Sequence, residues 1–133
     1  MDSNDNIKLE DFVDWMDISQ NGGLSEAFIR KYQDYVEWHE ISMYQRLSED
    51  FIREFQDKVD WNSIPMGQTL SESFIREFQG KVNWDMVCIF QKLSGKFIVE
   101  FKDRVNWMNV FDHQTLSKKF RKQNQQYLNG KNR

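Results

Sequence analysis

The chain has one cysteine and two histidines in 133 residues. The lone thiol, Cys88, cannot close a disulfide within the chain, so the expected setting is reducing and intracellular. His39 and His113 lie far apart in sequence, and with Cys88 they give no zinc-type spacing, so no metal or other cofactor is expected. No glycine-rich phosphate loop is present; Gly22-Gly23 reads as a turn before Leu24. No run of about 18 apolar residues occurs, so no membrane-spanning helix is expected. The start of the chain, Met1 to Ile7, is polar and acidic, unlike a signal peptide.

Aromatic residues are abundant: 11 Phe, 5 Trp and 4 Tyr. Such a chain can bury a core, which argues against disorder. Charge is unevenly spread. Residues 1–66 hold 15 acidic and 6 basic side chains, a net of -9, and residues 67–133 hold 6 and 12, a net of +6. The chain is bipolar, which fits ordinary solvated surfaces, two different partners, or head-to-tail self-association.

The aromatics are periodic. Trp15, Trp38, Trp61, Trp84 and Trp107 recur every 23 residues. The same step carries Leu24, Leu47, Leu70, Leu93 and Leu116, and Phe28, Phe51, Phe74, Phe97 and Phe120. Val13 to Val105 and the row Ile18, Ile41, Ile64, Val87 and Val110 keep it too. Five rows without an insertion define a tandem repeat. In the repeat beginning at Leu47, Ser48 is a helix N-cap followed by acidic Glu49 and Asp50. Phe51, Ile52, Phe55 and Val59 then share one helical face, which predicts a first helix from Ser48 to Lys58. Asp60, with equivalents Asp14, Asn83 and Asn106 and the weaker Glu37, caps a short second helix that carries Trp61 and Ile64 inward. Pro65 and Gly67 fall inside that helix and should stop it early or reduce it to a 3₁₀ turn.

Helices this short need neighbours to bury their apolar faces. The expected fold is therefore all-α, a short α-solenoid of tandem 23-residue helix pairs, in preference to a globular bundle. The expected organisation is one domain, 1–133, made of a partial repeat 9–23 and repeats 24–46, 47–69, 70–92 and 93–115. A polar capping repeat, 116–127, and a frayed tail, 128–133, follow.

The stretches Leu47 to Trp61, LSEDFIREFQDKVDW, and Leu70 to Trp84, LSESFIREFQGKVNW, resemble a repeat of large DNA viruses and bacteriophages, often iterated many times. The resemblance runs from about Leu9 to Phe120, departing at Gly95-Lys96, at Val99 and in the last repeat. It brings no catalytic residues. It implies a viral protein with an interaction role in the cytoplasm of a host cell.

The residues themselves point to binding rather than catalysis. Serines 25, 48, 71, 94 and 117 all sit at helix starts, where capping explains them. No carboxylate stands out from the repeat as a general acid would. The five tryptophans read as structural core, and Gln45, Gln68, Gln91 and Gln114 as an amide ladder serving helix ends. Arg30, Arg53 and Arg76 form a row that fits surface pairing with acids or a grip on an acidic partner. Variation between repeats concentrates after the Ile/Val of the second helix. There Met43, Tyr44, Met66, Ile89, Phe90, Phe111 and His113 form a candidate apolar stripe, read either as a protein-binding surface or as packing between repeats. Lys118, Lys119, Arg121 and Lys122 form a basic end that could meet nucleic acid. The expectation is a non-enzymatic module whose partner is a protein, possible inhibition of that partner included. Nucleic-acid binding and self-assembly are the alternatives.

Overall fold

A computed structural model describes residues 8–128. It is all-helical, with no strand among the described residues, and neighbouring helices pack in sequence order as an all-α repeat fold requires. Two compact units divide the chain, one ending at Gln68 and the other beginning at Thr69. The acidic and basic halves of the sequence coincide with them.

The first unit opens with a 3₁₀ turn, Leu9–Asp11, followed by α1 (Trp15–Asn21), α2 (Glu26–Lys31), α3 (Trp38–Tyr44), α4 (Glu49–Glu54) and α5 (Ile64–Gly67). Helix α3 lies between α1 and α5. The second unit contains α6 (Glu72–Glu77), α7 (Trp84–Phe90), α8 (Gly95–Glu100), α9 (Trp107–His113) and α10 (Lys118–Leu128), with α9 packed on both α7 and α10. The fixed rows fill the interior: Phe51, Phe74 and Phe97, Ile29, Ile52, Ile75 and Ile98, and Ile41, Ile64, Val87 and Val110 are all at most 1% exposed.

Serine capping starts each first helix. Ser25, Ser48, Ser71, Ser94 and Ser117 Oγ accept the backbone N–H three residues on, at 3.0–3.1 Å. The helix then ends sooner than expected. Helix α4 stops at Glu54, four residues short of Lys58, because the backbone leaves helical geometry at Phe55 (φ -108, ψ 30). A separate turn follows, in which the Lys58 and Val59 N–H groups both bond to the Phe55 carbonyl. Side chains satisfy the carbonyls thus released: Gln56 Nε2 donates to Arg53 O at 3.0 Å, and Trp61 Nε1 donates to Gln56 O at 2.9 Å.

The second helices begin at side-chain caps from Asp14, Asn83 and Asn106, whereas Glu37 makes none. Pro65 acts otherwise than expected. It delays the start of the helix and leaves its end in place, so residues 61–63 form a turn and α5 begins at Ile64 with the proline in its first turn. There the missing N–H costs nothing, since first-turn donors have no partner within the helix. Gly67 lets this displaced helix lie close to α3; a Cβ on it would overlap the Met43 carbonyl.

The last repeat is a longer helix than its predecessors. Asn124 replaces the phenylalanine at which earlier helices end, and its Nδ2 donates back to Phe120 O at 2.9 Å. Leu128 closes α10, so of the expected frayed tail only this residue is described; 129–133 lie outside the described residues.

Candidate functional site

Four sets of contacts join one repeat to the next within each unit. In the first set, glutamines bridge helix ends. Gln114 Nε2 donates to Cys88 O (2.7 Å) and Gln91 O (2.6 Å), while its Oε1 accepts Leu93 N–H at 2.9 Å. Gln68 does the same for Ser42 O, Gln45 O and Leu47 N–H, and Gln45 for Ser19 O and Leu24 N–H. These amides are at most 7% exposed, so the ladder read from the sequence is a buried polar one with its partners in place.

In the second set, each tryptophan Nε1 donates to the carbonyl five residues earlier, from Trp15 on Glu10 to Trp107 on Lys102. The indoles reach the aromatics of the following repeat: Trp38 lies 5.3 Å from Phe55, and Trp84 lies 5.0 Å from Phe101. Trp15, Trp38, Trp61 and Trp84 are half-buried, and only Trp107 is buried.

The third set was not legible in the sequence. Ser19, Ser42, Pro65, Cys88 and Phe111 share one register position, which sequence reading grouped with the variable stretch. Ser19, Ser42 and Cys88 are fully buried, and each accepts the N–H at the expected cap position of the next repeat: Ser19 from Glu37 (3.0 Å), Ser42 from Asp60 (2.9 Å) and Cys88 from Asn106. Asp60 does not cap α5, since Pro65 moves that helix start to a cap at Ser63, and the Asp60 carboxylate accepts the Asn62 N–H instead. Burial pushes the Cys88 thiol up to about 11, which keeps it protonated at neutral pH, an acceptor and packing group. Phe111 stands where the row ends, and half-buried it takes the Arg121 guanidinium over its ring at 5.2 Å.

The fourth set is a pair of carboxylate clasps. Glu26 accepts Ser48 N–H (2.6 Å) and Oγ–H (3.1 Å), and Glu72 holds Ser94 in the same way. Arg30 binds Glu54 through two hydrogen bonds of 3.0 and 2.9 Å, and Arg76 binds Glu100 through two of 2.8 Å. These bonds hold the Glu54 and Glu100 carboxyls below the ordinary range. Arg53 bonds to Asp50 at 2.7 Å. The arginine row therefore sits in structural pairing.

Both clasps lapse between α8 and α10. Gly95, Val99 and Gln123 stand one period after Glu72, Arg76 and Glu100. A groove of about 500 Å³ opens there, lined by Gly95, Lys96, Val99, Phe120, Gln123 and Asn124. Phe120 is half-buried, and a Cβ on Gly95 would lie 2.9 Å from its ring.

Of the candidate stripe, Tyr44, Met66, Phe90 and His113 are exposed, and Met43, Ile89 and Phe111 are half-buried. Met43, Tyr44 and Met66 fall on α3 and α5 of the first unit; Ile89 and Phe90 fall on α7 of the second. The same register is polar at Gln20-Asn21 and at Asp112-His113. At the basic end, Lys118, Lys119 and Lys122 are exposed, while Arg121 is turned inward, its Nη2 donating to Phe111 O at 3.1 Å.

One titratable cluster lies beside the first-unit stripe. His39 Nδ1 is 2.7 Å from Asp60 Oδ2 and 3.1 Å from Ser63 Oγ. The hydrogen bond to Asp60 raises the histidine above its ordinary value and lowers Asp60. Among the described residues, no three His, Cys, Asp or Glu side chains converge as metal ligands, and no buried side-chain N or O lacks a partner. No described helix is long and apolar enough to cross a membrane. In comparisons with known proteins, no family model matches the chain, no curated protein matches it, and no solved structure does.

Proposed function

We propose that the chain is a non-enzymatic helical-repeat binding module of viral type, engaging a host or viral protein in the cytoplasm of the host cell. One observation carries this reading. The fixed rows, the glutamines and the small-residue row are spent on joining repeats, yet Tyr44, Phe90 and Met66 leave 57%, 50% and 40% of their surface in water. Large apolar side chains left in water on second helices have the character of anchors for a partner surface.

The test is capture of partners by the tagged full chain from a lysate of its natural host, with and without nuclease. Tyr44→Ser and Phe90→Ser variants are run alongside. One dominant protein, held after nuclease and at high salt but lost from both variants, supports the reading. A partner set that vanishes on nuclease treatment overturns it and transfers the function to the exposed lysines of α10.

A further inference from the structure

The groove between α8 and α10 is defined by what the repeat lacks there. In the preceding repeat, a glutamate and an arginine–glutamate pair cover the corresponding surface. Here a glycine, a valine and a glutamine leave a floor of Val99 and Phe120 in contact with water, Val99 being 44% exposed. The rim is cationic: Lys96 lines it, and Lys119 lies one helical turn before Gln123 on α10. A volume of about 500 Å³ suits an apolar anchor. Phosphate alone would leave that floor uncovered.

The complementary surface is at the other end of the chain. Leu9 shares a register position with Phe55 and Phe101, which are 6% and 8% exposed beneath the tryptophan of the repeat before them. Leu9 is 48% exposed. Phe12 shares its position with Lys58 and Arg104, surface residues, and is 70% exposed. Between them lie Glu10 and Asp11, and Asp14 and Asp17 follow. This is a short acidic segment with two apolar side chains in water, where the groove is apolar with a cationic rim.

We propose that the groove receives the Leu9–Phe12 segment of a second copy, with Phe12 on Val99 and Phe120 and with Glu10 and Asp11 supplying carboxylates of the kind the interface has lost. Such a contact joins unlike surfaces, so copies add head to tail. It uses residues apart from Tyr44, Phe90 and Met66, so the two readings stand or fall separately.

The test is the mass of the full chain by sedimentation velocity over a range of concentrations and salt. Mass rising with concentration and falling with salt is expected. Phe12→Ser, at an exposed position, should weaken association by at least about tenfold, the share of one aromatic anchor. Val99→Arg, at an exposed position, restores the arginine found one repeat earlier; it should abolish association while melting no lower than the parent chain. Mixing the two variants is decisive, because the first keeps an intact groove and the second an intact segment. A heterodimer from two monomeric variants is expected. A parent chain that stays monomeric at every concentration, or a mixture that does, overturns the proposal.

Discussion

The Tyr127 ring lies flat on Trp107, with centroids 4.6 Å apart and planes 12° from parallel. Trp38 and Trp84 meet the second phenylalanine of the next repeat, Phe55 and Phe101. In the last repeat Asn124 occupies that register, and a tyrosine nearly one turn further on supplies the ring. This closure needs a longer α10, and it makes Trp107 the only buried tryptophan among the described residues. Tyr127→Ala should destabilise the second unit by at least the aromatic pair's own share, about 0.5–1.5 kcal/mol. Tyr127→Phe should keep the stack. Denaturant unfolding compares the two, and equal loss from both would show that the ring contact is not the cause.

The glutamine ladder makes a larger demand. Gln114→Ala strands two carbonyls and one N–H in a buried site, a loss of about 2–4 kcal/mol at about 1–3 for each unpaired group, less than additively. Gln114→Glu separates donor from acceptor. The carboxylate cannot donate to Cys88 O or Gln91 O, so the variant should be as damaged at neutral pH and recover as acid protonates it. A Glu variant as stable as the parent at neutral pH would contradict the assigned orientation of the amide.

The His39–Asp60 pair sets a pH dependence in the first unit. The folded histidine titrates above its ordinary value of 6.5. Its contribution to stability is therefore fully present below that value and is lost as pH rises through the folded pKa. His39 is largely exposed, so the effect is small and shrinks with salt. NMR titration of the ring should show the raised value. Asp60→Asn, which keeps an oxygen for the Asn62 N–H, should return it toward the ordinary one; an unmoved titration would assign the shift to another group.

Cys88 should react with thiol reagents only when the second unit opens, since its thiol is fully buried and pushed up to about 11. Labelling rates at mild alkaline pH should then follow stability across variants. Cys88→Ser should be tolerated, because serine holds the corresponding N–H of the next repeat at the equivalent positions 19 and 42. Cys88→Ala leaves the Asn106 N–H without that acceptor and should cost about 1–3 kcal/mol. Fast labelling of the folded chain would refute the burial.

Much of the fold was legible before any coordinates. The 23-residue step, the serine caps and the rows of Phe, Ile and Val are local or periodic features, and each repeat states them again. The glutamine ladder was legible for the same reason: a fixed polar residue at a helix end has a backbone to serve. The candidate surface was legible only as variation. Position 42 and position 44 both change between repeats, yet Ser42 is fully buried and Tyr44 is 57% exposed. Two residues on one short helix point in different directions, and only the neighbouring helix decides which is covered.

The sequence by itself determined the all-helical repeat, its period, its caps and its charge division, because these follow from spacing and side-chain chemistry along one chain. Only the tertiary structure decided where the first helices stop, how Pro65 displaces α5, which small residues hold the next cap, and how Tyr127 replaces a missing phenylalanine. It also showed that three separated departures, Gly95, Val99 and Gln123, meet at one groove. Such outcomes depend on which side chain of the next repeat reaches a given atom, and that distance is set by packing.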